Sequence, residues 1–223
     1  MVERDATKTP AVLPAHAIEV GTGPLDKPAR NSVGGWPFLD EAQEWPLCFC
    51  GERMALFFQL DIPLDVEHFG GDHLLVFHCR THNDASDPKT ADGRLVPRFW
   101  DAPQPPYPRP FWRVLLQRHA ALPAAESEPS LSGLPLTLRS FVDTPGPYGI
   151  GAQTFKVGGT PSWAQEPEHY TCACGADLVY VCQVPEGMEF DDESDGLFLG
   201  NEIYLLACPS HCDPAAVWPV NQN

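Results

Sequence analysis

Residues 33–60 read VGGWPFLDEAQEWPLCFCGERMALFFQL, and residues 157–184 read VGGTPSWAQEPEHYTCACGADLVYVCQV. The two stretches align without a gap at a shift of 124 positions, and nine of the 28 aligned residues are identical. Unrelated stretches of ordinary composition would match at about one or two positions. The identical residues include three glycines, a proline, two cysteines and a glutamine. We therefore interpret the chain as an internal duplication.

The correspondence continues into a second pair of segments, LLVFHCRTHND at residues 74–84 and YLLACPSHCD at residues 204–213. Aligning Cys79 with Cys208 needs a shift of 129, so the connection in the second half is five residues longer (129 − 124 = 5). Each half then has the pattern GGxP, CxCG, an apolar run with a glutamine, a loop, a second apolar run and CxxH.

The fold is predicted to be mostly β, with α+β as the alternative. Short apolar and aromatic runs bounded by turn residues are typical of strands. Such runs lie at residues 54–60, 73–78, 177–184 and 203–208, with further candidate strands at 112–118, 134–142 and 196–199. We expect two similar β-rich halves related by pseudo-two-fold symmetry. The predicted divisions are an N-terminal extension (1–30), a first repeat (31–92), a proline-rich connection (93–150) and a second repeat (151–223).

The connection between the repeats is dominated by proline. Residues 97–147 hold 11 of the 25 prolines, which favours extended chain and loops because proline lacks a backbone N–H. Its aromatic residues suggest two interpretations. They either cover the junction between the two halves, which we favour, or form a peptide ligand for a recognition module.

The cysteines and histidines of each half supply three sulfurs and one imidazole. These residues are Cys48, Cys50, Cys79 and His82 in the first half, and Cys172, Cys174, Cys208 and His211 in the second. Three cysteines and one histidine form a standard closed shell for structural zinc, and the repetition makes the pattern more specific. We therefore predict two structural zinc ions per chain. Buried free thiols and disulfides are the alternatives.

Two ligand choices stay open at this point. Cys212 stands beside His211 and could replace it, and His78 could replace His82, although the alignment favours both of the repeated histidines. Cys182 aligns with Phe58 inside an apolar run, which indicates a core residue.

The composition limits the classes of function. The net charge is −16, from 30 acidic and 14 basic residues, which disfavours nucleic-acid binding and would attract a basic protein partner. No apolar run is long enough to span a membrane, and the N-terminal residues lack a signal-peptide pattern. We expect a cytoplasmic monomer.

Catalytic and calcium motifs are weak in this sequence. Residues 191–196 with Glu202 approach a calcium-binding loop, but its third position is Glu193 where the pattern has Asp or Asn, and the flanking segments are not helical. We interpret them as an acidic hairpin loop.

The GGxP, CxCG, glutamine and CxxH elements resemble the YwqG-like family of uncharacterised proteins. The GGxP, cysteine and glutamine part of this pattern also resembles the programmed cell death protein 2 family, and the resemblance covers about residues 31–84 and 155–213. The resemblance implies a duplicated, β-rich fold. It also implies a binding role, either as a chaperone for a basic ribosomal protein or as an immunity protein against a toxin, and it transfers no catalytic residues.

Three hypotheses of function follow. The first is a zinc-stabilised protein-binding module, chaperone-like or immunity-like, with an apolar or acidic groove between the halves. The second is a redox- or metal-responsive thiol protein. The third is an enzyme with a site at the interface of the repeats, for which His119 and His169 are candidate residues.

Overall fold

The structure is a computed structural model that describes residues 13–86, 90–91, 93–118, 122–146, 148–188, 190 and 196–223. The described residues form fourteen strands and two short 3-10 segments. The strands are β1 (Leu13–Val20), β2 (Ser32–Val33), β3 (Phe38–Leu39), β4 (Ala55–Asp61), β5 (His73–His78), β6 (Thr90–Ala91), β7 (Arg94–Leu95), β8 (Trp112–Gln117), β9 (Leu122–Pro123), β10 (Leu134–Asp143), β11 (Lys156–Gly158), β12 (Val179–Val184), β13 (Glu202–Ala207) and β14 (Val217–Gln222). The 3-10 segments are Phe99–Asp101 and Leu197–Gly200. The prediction of a mostly β fold is confirmed.

Ten of the described strands form one antiparallel sheet in the order β14-β13-β12-β11-β1-β10-β2-β4-β5-β8. The two outer strands, β8 and β14, come back towards each other and nearly close the sheet. The Leu116 N–H donates to the Pro214 carbonyl over 2.8 Å, and the rings of Trp112 and Trp218 meet at 5.6 Å. Near-closure brings the two edges of the sheet together, which limits the unpaired backbone N–H and C=O groups that an open sheet would expose there.

The two halves of the sheet have matching local features. β4 carries an irregularity between Leu56 and Phe58, and β12 carries one between Tyr180 and Cys182, 124 residues later. The order β10-β2-β4-β5-β8 mirrors β1-β11-β12-β13-β14. Descent from a duplication stays a prediction, for which these features are further support.

The repeated glutamines bind the turns that precede their strands. Gln59 is fully buried, accepts the Phe38 N–H over 3.0 Å and donates to the Trp36 carbonyl over 2.8 Å. Gln183 likewise accepts the Ser162 N–H over 3.0 Å. Each glutamine satisfies buried main-chain groups that would otherwise lack partners, which explains its repetition.

The core is rich in aromatic side chains from both halves. Phe58 of β4 meets Phe155, which precedes β11, at 5.2 Å. From the proline-rich connection, Phe99 and Trp112 are buried and both contact Trp218 of β14. These rings lie at the junction of the two halves, as the favoured interpretation of this segment predicts.

Two sequence predictions on the elements need correction. Residues 197–200 form a 3-10 segment and not a strand, because Gly196, Phe198 and Leu199 all have positive φ values of 47° to 71°. The C-terminal residues form β14, which the sequence did not indicate, since Pro219 interrupts the run and polar residues follow it.

Candidate metal centres

The two cysteines of each CxCG motif lie in a tight turn. In the first half the Cys48 N–H donates to the Glu52 carbonyl, and the Gly51 N–H donates to the Cys48 carbonyl, both over 2.9 Å. Gly51 has φ 92°, a left-handed value that a side chain would strain. Cys172 and Gly175 repeat this turn in the second half, where Gly175 has φ 100°. The turn brings both sulfurs of each motif to one side of the chain.

The closing ligands of each centre follow the neighbouring strand. Cys79 comes directly after β5, and its N–H donates to the Phe111 carbonyl over 2.7 Å. Cys208 comes directly after β13, and its N–H donates to the Ala216 carbonyl over 3.0 Å. A metal ion at either place would therefore connect the turn before one strand with the end of the next.

The first cluster consists of Cys48, Cys50, Cys79 and His82, whose ligand atoms lie within 4.8 Å of one another. His82 Nδ1 is 3.6 Å from Cys48 Sγ and 3.5 Å from Cys79 Sγ, and the sulfurs of Cys50 and Cys79 are 4.0 Å apart. Tetrahedral zinc, with Zn–S about 2.3 Å and Zn–N about 2.0 Å, needs sulfurs about 3.8 Å apart and sulfur and nitrogen about 3.5 Å apart. The separations fit this shell, and all four predicted residues come together.

The second cluster consists of Cys172, Cys174, Cys208 and Cys212. The sulfurs of Cys172 and Cys212 are 3.6 Å apart, and those of Cys174 and Cys208 are 3.5 Å apart. These separations match the edges of a tetrahedral sulfur shell, which are about 3.8 Å long. The second cluster therefore consists of four cysteines and no histidine.

His211 is not a member of this cluster, and its prediction as the fourth ligand is corrected to Cys212. His211 has φ 47°, and its imidazole faces the 68–72 loop of the first half. There Nδ1 lies 3.4 Å from an Asp72 carboxylate oxygen, and Nε2 lies 3.2 Å from the His68 carbonyl oxygen. The sequence did offer Cys212 as an alternative ligand, because it directly follows His211, but the alignment of His211 with His82 favoured the histidine.

His78, the alternative to His82, also lies outside the clusters. Its Nδ1–H donates to the Cys79 carbonyl over 2.8 Å, and its ring packs edge-on against Phe57, Phe111 and Phe198. Burial lowers the pKa of His78 to about 4, so the imidazole is neutral. The choice of His82 agrees with this geometry.

Aromatic rings position His82, a feature that the spacing of the ligands did not indicate. The Phe49 ring lies 4.4 Å from the imidazole, and Tyr107 of the proline-rich connection lies 5.4 Å from it. Phe49 and Tyr107 also stack on each other at 5.5 Å. This packing holds the imidazole beside the sulfurs.

All eight cysteines lie in the described part of the chain, and none of them forms a disulfide. The sulfur separations in the clusters are far above the S–S bond length of about 2.05 Å, so the pairs are not disulfides. Burial raises the pKa of Cys48 to about 12, whereas the backbone N–H of Ala176 lowers that of Cys174 to about 7. Cys182 is fully buried in the core, as predicted, and burial raises its pKa.

The remaining candidate residues do not form a common site among the residues described. His169 is exposed, and His119 lies outside the described residues. Residues 191–195 of the acidic segment are also outside them. Glu202 is buried and accepts hydrogen bonds from Ser162 and Gln153, over 2.7 and 3.0 Å. These hydrogen bonds give Glu202 a structural role in the second half.

Sequence comparisons find no match to this chain among protein-family models or curated proteins. The resemblance to the YwqG-like and programmed cell death protein 2 families therefore stays a prediction. Within the described ranges, no helix has the length and apolar character needed to cross a membrane.

Proposed function

We propose that the protein is a zinc-stabilised protein-binding module with a basic protein as its partner. The observation that carries the zinc part is the pair of four-ligand clusters with tetrahedral separations, one with three cysteines and a histidine and one with four cysteines. Sulfur and imidazole ligands at tetrahedral positions suit zinc better than calcium or magnesium, which prefer oxygen. Four protein ligands fill the shell and leave no position for a substrate, so both ions would be structural.

The distribution of charge supports a basic partner. The loop before the first CxCG motif exposes Asp40, Glu41 and Glu44, and Leu47 beside them is 61% exposed. This acidic loop lies over β8, where the two halves of the sheet meet: the Asp40 N–H donates to Gln117 of β8 over 3.2 Å. The acidic side chains would attract a basic partner, and Leu47 would add apolar contact area. The family resemblance also points to a binding role.

The test is a comparison of two charge-reversed proteins in quantitative affinity purification. In the first protein, Asp40, Glu41 and Glu44 are replaced by lysine. The control, D26K/E166K/E186K, changes the net charge equally at exposed sites elsewhere. We expect a defined basic partner to copurify with the wild type and the control but not with the loop variant. Equal loss with both variants, or no basic partner of the wild type at physiological salt, would contradict the proposal.

A further inference from the structure

A cavity of about 360 Å³ lies beside the end of β8, at the junction of the two halves. Its wall includes Asp40, Gln43, Gln117, Arg118, His211 and Asp213. Small-molecule sites have volumes of about 300–1,000 Å³, so this cavity is large enough for a ligand of several heavy atoms.

Gln117, the last residue of β8, has an unused pair of hydrogen-bond donors at this cavity. Its side-chain oxygen accepts the Asp40 N–H over 3.2 Å, but its amide nitrogen has no hydrogen-bond partner among the described residues. The residue is only 3% exposed. A buried donor without a partner is unfavourable, which makes a bound acceptor favourable.

The corresponding residue of the second half shows which acceptor fits. Gln222 is the last residue of β14, as Gln117 is of β8, and its side-chain oxygen accepts the Gln165 N–H over 2.9 Å. Its amide nitrogen donates to the Glu166 carbonyl over 3.0 Å and to the Glu168 carboxylate over 3.1 Å. In the second half, therefore, a carboxylate of the protein itself satisfies the glutamine.

The first half places its loop differently. Glu44 corresponds to Glu168 in the aligned repeats, but it lies on the wall of a neighbouring depression with Trp45 and Arg113. The Gln43 N–H donates to the Asp40 carbonyl over 2.8 Å. The loop therefore turns directly after Asp40, the residue that contacts Gln117. Among the described residues, therefore, no carboxylate accepts a hydrogen bond from the Gln117 amide, whereas Glu168 accepts one from Gln222.

The charges around the cavity restrict the ligand further. Arg118 is exposed at the wall and suits a carboxylate. Asp40 and Asp213 line the same cavity and would repel a simple anion, particularly in a chain with a net charge of −16. A ligand that also carries a positive group would offset both acids.

We propose that this cavity binds a ligand with a carboxylate and a cationic group, namely an amino acid or the C-terminal residue of a peptide. The carboxylate accepts from Gln117 and Arg118, in the role that Glu168 has for Gln222. The cationic group lies towards Asp40 and Asp213. The site does not depend on the protein-binding function proposed above.

The test titrates the metal-loaded full chain with three probes, followed by NMR or calorimetry. The probes are free L-lysine, N-acetyl-Gly-Gly-Lys with a free C-terminus, and the same peptide as its C-terminal amide. We expect at least one carboxylate probe to bind at millimolar concentration or below, and the amide to bind about tenfold more weakly or worse. Lysine binding indicates an amino acid, and binding of the peptide acid alone indicates a C-terminus. Binding of neither acid, or equal binding of the amide, would overturn the proposal.

Two variants assign the binding to this cavity. Gln117→Glu keeps the acceptor oxygen for Asp40 but replaces the amide donors with negative charge, so binding is expected to disappear. Arg118→Gln, at an exposed residue, is expected to weaken binding about tenfold without affecting folding. Arg139→Gln makes the same change of charge at a distant side chain that is 72% exposed, and should bind like the wild type. Unchanged binding by Arg118→Gln would contradict the site even where Gln117→Glu does not fold.

Discussion

At the scale of single residues, one buried ion pair has no equivalent in the first half. Lys156 of β11 and Asp143 of β10 are fully buried with their charged atoms 2.6 Å apart. Asp143 also accepts the backbone N–H groups of Ala152 and Thr160, each over 3.0 Å. Ser32 stands at the position of Lys156 in the first repeat, so the sequence alignment gave no signal for the pair.

Removing one partner of this pair should destabilise the protein strongly. Lys156→Met leaves a buried carboxylate without its cation, which costs about 3–5 kcal/mol in the free energy of unfolding. Chemical denaturation of the metal-loaded protein measures the effect. Arg139→Met, which removes a surface pair with Glu19, should change stability by less than about 1 kcal/mol. Equal effects of the two substitutions would show that the burial of the pair does not matter.

The buried glutamines give a second prediction at this scale. Gln59→Leu and Gln183→Leu each leave buried main-chain groups without partners. We expect each substitution to lower the free energy of unfolding by about 1–3 kcal/mol. Gln165→Leu, at an exposed glutamine, serves as the control in the same denaturation experiment. Stabilities within about 0.5 kcal/mol of the wild type would contradict the structural role of these glutamines.

At the scale of elements, the sequence predicted the strands and turns that depend on local sequence pattern. The strands β4, β5, β12 and β13 have continuous apolar runs between turn residues, and the CxCG turns have a glycine where a left-handed φ is needed. The 3-10 segment at Leu197–Gly200 and the strand β14 depend on tertiary contacts that no local pattern records. The same reason explains Cys212: the path of the chain after β13 decides whether residue 211 or 212 faces the sulfurs.

The composition of the second centre can be tested directly. We expect His211→Asn to retain two zinc ions per chain, because His211 faces Asp72 and not the cluster. Cys212→Ala removes a member of the cluster and should reduce the content to one ion, or weaken the second ion to the point of loss on dialysis. Elemental analysis of both purified variants gives the answer. Loss of zinc from His211→Asn with retention in Cys212→Ala would restore the prediction made from the sequence.

At the scale of the whole molecule, the two centres lie in the two halves of one nearly closed sheet. The sequence predicted two similar halves but not the meeting of β8 and β14, because closure depends on Trp112, Trp218 and other residues far apart in the chain. A metal ion bound by either cluster would therefore be held within one half. Loss of either ion would free the ends of two neighbouring strands and expose buried cysteines.

The most direct test of this account is the metal content of the full chain, purified without added metal, with unfolding by a chelator followed on the same sample. We predict two zinc ions per chain and loss of the folded signal in circular dichroism as the chelator removes them. A folded protein without metal, with the seven cluster cysteines reacting as free thiols, would contradict the account.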